Sequence, residues 1–319
     1  MLSIIVPVYN EEESLKELTH RIETVAQREQ LEFEIVMIDD GSSDTSWQVI
    51  EELSSEHHFV RGIRFRRNFG KAAALSAGFK QSSGEILITM DADLQDDPNE
   101  IPNLIAKLDE GFDVISGWKK VRHDPWHKVL PSRVFNGMIS WLTGVQLHDH
   151  NCGLKAYRRA AIAEIDLYGE MHRFVPVLAD ARGFKVSEIV IQHHARQHGV
   201  SKYGFERFVK GFLDLLTVYF LTGYGRRPQH LIGTVGLGSF LCGTAGLFVL
   251  SFMWVLTRLT PLEDLDLHKK ALFYFCIVGV LLGIQLVTMG FLAELITSQN
   301  RSTDKPYSIS AKTNLPADD

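Results

Sequence analysis

At 319 residues the chain has room for about two domains. Its net charge of −6 argues against general nucleic-acid binding, because a protein that tracks phosphates carries a basic excess. An apolar content of 45% is ordinary, but these residues crowd toward the C-terminus and leave a polar half and an apolar half. The three cysteines, Cys152, Cys242 and Cys276, form no CxxC spacing and no even-numbered framework, which fits a reducing compartment. The chain opens straight into MLSIIVPVYN without a basic leader or a small-residue cleavage site. No secretory signal is expected, and the first half is expected to stay on the cytoplasmic side.

From residue 2 to about 117, apolar strand-like runs alternate with amphipathic stretches, the rhythm of a mostly parallel, helix-covered α/β sheet. Strands are predicted at 2–8, 33–39, 60–65, 85–90 and 112–116, with helices near 12–28, 45–54, 71–81 and 100–108. Ligands of such sheets bind beyond the carboxyl ends of the strands, so the polar residues there come first. The first strand ends in VPVYNEEESL, where Pro7, Tyr9 and Glu11 can wall a base. The second ends in IDDGSSDTS, where Asp39 and Asp40 can accept hydrogen bonds from a base or a ribose hydroxyl. A turn followed by an Asp44 helix cap explains the same run equally well. The fourth ends in DADLQDDP. Asp91 and Asp93 stand two apart there, with Gln95 at the same spacing, so one can ligate a divalent ion that bridges two phosphates while its neighbour helps hold the metal or a ribose. The alternative is a solvated turn before a helix start at Pro98.

The segment 118–197 is less periodic and richer in His, Arg and Gly, and is expected to complete the site and carry acceptor-side loops. Beyond it, Phe208, Val209, Phe212, Leu215, Leu216, Tyr219 and Phe220 recur at helical spacing among charged residues, as in a helix lying in a membrane interface; an ordinary packed helix is the alternative. No charged residue or histidine occurs over 231–256 or 271–293, and each stretch exceeds the roughly 20 residues that cross a bilayer. Arg207, Lys210, Arg226 and Arg227 precede the first stretch, so the positive-inside rule keeps the catalytic half cytoplasmic. Gly279 with Gly283, and Ser239 with Gly243, can pack the two spans together or join protomers into a homo-oligomer. The expected organisation is a catalytic domain over 1–202, a juxtamembrane region over 203–228, two spans within 229–297 (231–256 and 271–294), and a mobile cytoplasmic tail over 298–319.

VPVYNEEESL, DDGSSD, RNFGKAAALSAGF and DADLQDDP, in that order and spacing, resemble family 2 of the inverting glycosyltransferases, whose fold is GT-A. The later runs HDHNCGLKAYRR and HHARQHGVSKYG, followed by two apolar stretches, resemble its polyprenyl-phosphate branch. That branch includes dolichol-phosphate mannose synthases and bacterial bactoprenol-phosphate glucosyltransferases. The resemblance covers almost the whole chain. It implies a nucleotide-sugar donor, Mg²⁺ or Mn²⁺, and transfer with inversion to polyprenyl (undecaprenyl) phosphate at the inner, cytoplasmic membrane. UDP-glucose is the expected donor, with GDP-mannose and UDP-N-acetylglucosamine as alternatives.

Carried onto this sequence, the resemblance assigns Pro7, Tyr9, Glu11, Asp39 and Asp40 to the nucleoside, with Lys71 nearby, and Asp91, Asp93 and Gln95 to the metal and diphosphate. It places Asp149 beside the reacting sugar, in a run that reads DHNCG where many relatives carry Pro and Ser. Arg122, Arg133, Arg196, Ser201 and Lys202 match positions that grip phosphates. The expected catalytic set is therefore Asp149, Asp93, Arg122 and Arg133.

A phosphate acceptor changes the chemistry demanded of the protein. With a second pKa near 6 it is already largely a dianion at neutral pH, so it needs less help from a base than a sugar hydroxyl does. Bringing two anions together is the harder task, and arginine and lysine suit it. Asp149 is then either a base or an orienter of the donor sugar or of an arginine. His193, His194 and His198 lack a Cys or Glu at ligand spacing, so His194 is assigned to the acceptor entrance rather than to zinc. Two competitors have other signatures. A saccharide-elongating transferase favours more spans and a hydroxyl-activating base, while a nucleotide-sugar sensor or lipid-presenting scaffold need not keep Asp91, Asp93 and Gln95.

Overall fold

The computed structural model describes residues 1–120, 126–167, 169, 171–192, 194, 206–223, 228–260 and 266–300. Seven strands form one sheet: β1 (Leu2–Val8), β2 (Phe33–Asp39), β3 (Val60–Arg64), β4 (Ile86–Thr89), β5 (Val114–Trp118), β6 (Lys155–Arg158) and β7 (Val186–Val190), in the order β3-β2-β1-β4-β6-β5-β7. All pairings are parallel except those of β6, which runs antiparallel between β4 and β5. The helices of this unit are α1 (Leu15–Arg28), α2 (Ser46–Glu56), α3 (Lys71–Gln81), α4 (Ile101–Asp109), α5 (Trp126–Thr143), α6 (Arg159–Ala163), α7 (Val175–Ala181) and α8 (Glu206–Gly223).

Alternation along the central strands sends successive side chains to opposite faces, so both faces need cover. Ile4 and Val6 of β1 pack with Leu18 of α1, Ile50 of α2 and Leu104 of α4. Ile5 of β1 and Ile38 of β2 join Leu75 of α3, Ile139 of α5 and Leu215 of α8 in the opposite layer. This is the GT-A arrangement. Because β1, β2, β4, β5 and β7 point the same way, their carboxyl ends open on one edge, and β6 begins at that edge with Lys155.

The predicted limits of β1, β2 and α3 coincide with those observed. The 118–197 segment, less periodic in sequence and given no predicted elements, contains α5, β6, α6, α7 and β7. The strand β6 is only KAYR, and its lysine is buried, so no apolar alternation marks it.

A second compact unit begins at Phe220, within the last turn of α8. It holds α9 (Pro228–Leu259) and α10 (Ala271–Asn300), both long and apolar enough to cross a membrane. Their large apolar residues, among them Phe248, Phe252, Phe275 and Leu281, are mostly exposed, unlike those of a soluble core. The small residues serve the pairing of the two helices: Ser239 Oγ donates to the Gly279 carbonyl at 2.9 Å, and a Cβ at Gly283 would lie 2.7 Å from the Gly236 carbonyl.

Candidate active site

At the ends of β1 and β2 the chain is tied down by its own polar groups. Asn10, in the left-handed region at φ 56°, donates its N–H to Ser42 Oγ at 2.9 Å, and its amide oxygen accepts from the Ser43 N–H at 2.8 Å. The Glu11 N–H donates to Ser46 Oγ at 2.9 Å. Asp39 is buried, accepts from the Ser42 N–H at 2.8 Å and stands 3.4 Å from Arg64 Nε. Asp40 accepts from the N–H groups of Phe69 and Gly70 at 2.7 and 2.9 Å, and so fixes the approach to α3. Gly70 sits at φ 93°, where a side chain would strain the backbone. Burial raises the Asp40 pKa, although these two backbone bonds pull it down. Pro7 is half-buried in β1, while Tyr9 is exposed at the same edge, as is Phe69 beneath the Arg67 guanidinium. The two aspartates thus build the turns at this edge, where the rings of Tyr9 and Phe69 stay exposed.

The run after β4 turns sharply at Leu94, a buried non-glycine residue at φ 60°. Asp93 is buried and accepts the Gln95 N–H at 3.2 Å. Asp91 pairs with Lys71 at the start of α3. Burial opposes ionisation of Asp91, but Lys71, helped by Lys119 and Lys155, outweighs it and holds the carboxyl below its ordinary value. A Cβ at Gly153 would collide with the Asp91 carboxylate, so a side chain there would shift that carboxylate. Among the described residues no cluster of three His, Cys, Asp or Glu side chains is poised as a self-sufficient metal cage. The carboxylates of Asp91 and Asp93 with the Gln95 amide oxygen are a hard, oxygen-only donor set. That suits a small divalent cation which takes its remaining ligands from phosphates and water.

Sequence reading missed the cations beneath this run. Lys119, directly after β5, pairs with buried Asp96 at 2.9 Å. Burial would lower its pKa, yet Asp96, with Cys152 and Asp91, holds it raised. Lys155 of β6 is buried, and burial draws its pKa down to about 8. The only sequence signal was position, in the GWKK and GLKAY runs at strand ends.

Asp149 is buried; its Oδ1 accepts the Asn151 N–H at 3.1 Å and its carbonyl accepts from Ser116 Oγ at 3.2 Å. The His194 N–H donates to the Gln95 carbonyl at 2.9 Å and its Nε2 lies 3.2 Å from Asp97 Oδ2. His194 therefore binds the strand exit of β7 to the DADLQDDP run. Arg133 is exposed on α5. Arg122, Arg196, Ser201 and Lys202 lie outside the described residues, as do His193 and His198.

The profile of glycosyl transferase family 2 matches residues 3–166. Dodecaprenyl-phosphate galacturonate synthase of Rhizobium johnstonii is 36% identical over 304 residues, 92% of this chain and 87% of that one. Undecaprenyl-phosphate 4-deoxy-4-formamido-L-arabinose transferase of Proteus mirabilis is 38% identical over 297 residues, with coverage of 92% and 88%. Among solved structures, glucosyl-3-phosphoglycerate synthase of Mycobacterium tuberculosis in complex with Mn²⁺, UDP and phosphoglyceric acid superposes with a TM-score of 0.54 at 16% identity, over 70% of this chain and 78% of that one. The same enzyme with Mn²⁺, UDP-glucose and phosphoglyceric acid gives 0.53 at 15% identity, over 70% and 79%. At these identities the likeness establishes the shared fold.

Proposed function

The chain belongs to glycosyl transferase family 2 and is a glycosyltransferase, and we propose that it transfers a sugar from a nucleotide donor to polyprenyl phosphate at the cytoplasmic face of the inner membrane. The observation that carries this reading is the reach of the similarity. Both relatives named for transfer to a polyprenyl phosphate align over 92% of the chain, well beyond the catalytic unit and into the apolar hairpin. The alternatives of a sensor or scaffold leave the Asp91, Asp93 and Gln95 oxygen set without a purpose.

Pro7, Tyr9, Glu11, Asp39 and Asp40 bound the nucleoside, and Lys71 meets the diphosphate. Asp91, Asp93 and Gln95 hold a divalent cation, Mg²⁺ or Mn²⁺, which when bound supplies charge neutralisation to the departing diphosphate. Asp149 faces the sugar as an orienter, because a dianionic acceptor brings its own nucleophile. In one displacement a phosphate oxygen of the lipid forms a bond to the anomeric carbon while the bond to the β-phosphate oxygen breaks. The electron pair leaves with the nucleoside diphosphate, and the configuration inverts. Arg122, Arg133, Arg196, Ser201 and Lys202, with His194 at the entrance, screen the repulsion between acceptor and donor phosphates.

Glucose from UDP-glucose is one donor to test, beside GDP-mannose and UDP-N-acetylglucosamine. The two relatives are named for galacturonate and 4-deoxy-4-formamido-L-arabinose, which puts a uronic acid and a modified pentose in the same comparison. The experiment is transfer of radiolabelled sugar from this donor panel to undecaprenyl phosphate by purified full-length protein with Mg²⁺ or Mn²⁺. A mild-acid-labile lipid product from one donor is expected and identifies the sugar. Nucleotide binding with no lipid product from any donor overturns the proposed reaction.

A further inference from the structure

The run that carries Asp149 is held in an unusual way. It lies between α5 and β6 and has no helix or sheet ladder of its own, yet its carbonyls are taken up one after another by side chains. Ser140 Oγ donates to the Leu147 carbonyl at 3.2 Å, and Asn136 Nδ2 donates to that of His148 at 3.0 Å. Ser116 Oγ reaches the Asp149 carbonyl, and the Lys155 ammonium donates to the carbonyls of His150, at 3.1 Å, and Cys152. Five carbonyls over six residues are thus fixed from three directions: α5, β5 and β6.

Every one of these donors is buried, and two are costly to bury. Lys155 is only 3% exposed, and Asn136 likewise 3%. An ammonium taken out of water without a direct carboxylate partner is expensive, and a fold that needed only a closed loop would meet its carbonyls with water or a turn. Catalytic groups, by contrast, must be held within a fraction of an ångström, and misplacement by about 1 Å can cost on the order of 100-fold in rate. The helix that contributes Asn136 and Ser140 also carries Arg133 one turn earlier, so one rigid element ties the Asp149 run to a proposed acceptor-phosphate contact.

We infer that Asn136 and Lys155 are positioning residues for the transfer, fixing from α5 and β6 the backbone that aims Asp149 at the donor sugar. The inference rests on the reading of Asp149 given above. Neither residue touches the reacting atoms; both act through the carbonyls of the 148–152 run.

The test is a double-mutant cycle on the full-length protein in lipid nanodiscs. Asn136→Leu and Lys155→Met keep the side-chain volume and remove the donors. Each is expected to lower kcat by about 10- to 100-fold with the KM for donor within about twofold, and Lys155→Arg is expected to recover most of the Lys155→Met loss. Combined with Asp149→Asn, neither should lower the rate much further, because the three changes remove one function. Hydrogen exchange of residues 147–152 should accelerate in Asn136→Leu and Lys155→Met while the β1 and β2 amides stay protected. If wild type makes no lipid product, the same cycle is read on the slow hydrolysis of the bound nucleotide sugar by water.

A full effect of Asp149→Asn with near-wild-type rates in the other two variants overturns the inference and leaves the reading of Asp149 standing. So do strictly multiplicative losses. No effect of Asp149→Asn, with losses in the other two, overturns both the reading of Asp149 and the inference built on it.

Discussion

A buried ammonium ordinarily loses its proton or finds a carboxylate, and Lys155 instead faces two backbone carbonyls. Burial draws its pKa from 10.5 to about 8; the fields of Cys152, Asp149 and Asp91 oppose that fall and Lys71 adds to it. Between these two values the unfolded chain holds a proton that the folded chain has given up, so stability should rise as pH increases from 8 toward 10.5. Transfer should move the other way, because a neutral amine holds the His150 and Cys152 carbonyls less firmly than the ammonium does. A pH–rate profile is expected to fall above about 8 in wild type and to stay flat there in Lys155→Arg, whose guanidinium keeps its proton. His150 gives the acid counterpart: burial, with Lys155 nearby, depresses its pKa from 6.5 to about 3. The unfolded chain again binds the extra proton, so stability is complete above 6.5 and declines as pH falls toward 3, by about 1.4 kcal/mol for each unit at most. Denaturant midpoints at pH 7 and pH 5 should show that decline, and His150→Asn should flatten it. At the proposed metal run, Asp93→Ala is expected to abolish transfer, by on the order of 1,000-fold or more, while expression and membrane insertion are unchanged. Wild-type turnover in that variant, or in excess chelator, would remove Asp93 from the metal site.

The pieces that place these residues are strand ends. Asp40, Asp91 and Lys119 each follow a parallel strand, and antiparallel β6 delivers Lys155 to the same edge from the opposite direction. Gly153, just before β6, allows the Asp91 carboxylate to lie against the backbone. Gly153→Ala should therefore displace either Asp91 or the run after Asp149, lowering kcat by about 10-fold or more with little change in thermal midpoint, since the collision is with a side chain at the site and not with the core. In the hairpin, a side chain at Gly283 would meet the Phe240 N–H and the Gly236 carbonyl, both backbone. Gly283→Leu is expected to force α9 and α10 apart, giving protease-sensitive protein in membranes, whereas Gly238→Leu, where a Cβ meets nothing, should be tolerated. The near-continuous burial of β1 and β2 was readable from their unbroken apolar runs, because both sheet faces are covered. That of β6 was not, since a four-residue strand bearing a buried lysine carries no such pattern.

Taken whole, the molecule joins a sheet whose ligand edge is rich in buried charge to a pair of helices with an apolar exterior. If these helices span the bilayer, the full-length protein stays in the pellet after an alkaline carbonate wash, and release into the supernatant would exclude the spans. Much of this was legible in the chain. Two uncharged stretches longer than a bilayer crossing, acidic residues at the ends of three strands and the ordered family motifs are local properties, and local sequence is enough to state them. The elements of the 118–197 segment were not legible, and neither were the partners of the buried charges. Asp96 meets Lys119, Asp91 meets Lys71, and the 147–152 carbonyls meet Asn136, Ser116, Ser140 and Lys155. These contacts join residues that no periodicity relates, and those of Lys155 exist because an antiparallel strand enters between β4 and β5. Spacing along a chain can announce a carboxylate at a strand end; which cation neutralises it, and which side chains hold the loop beside it, follows from how distant segments pack.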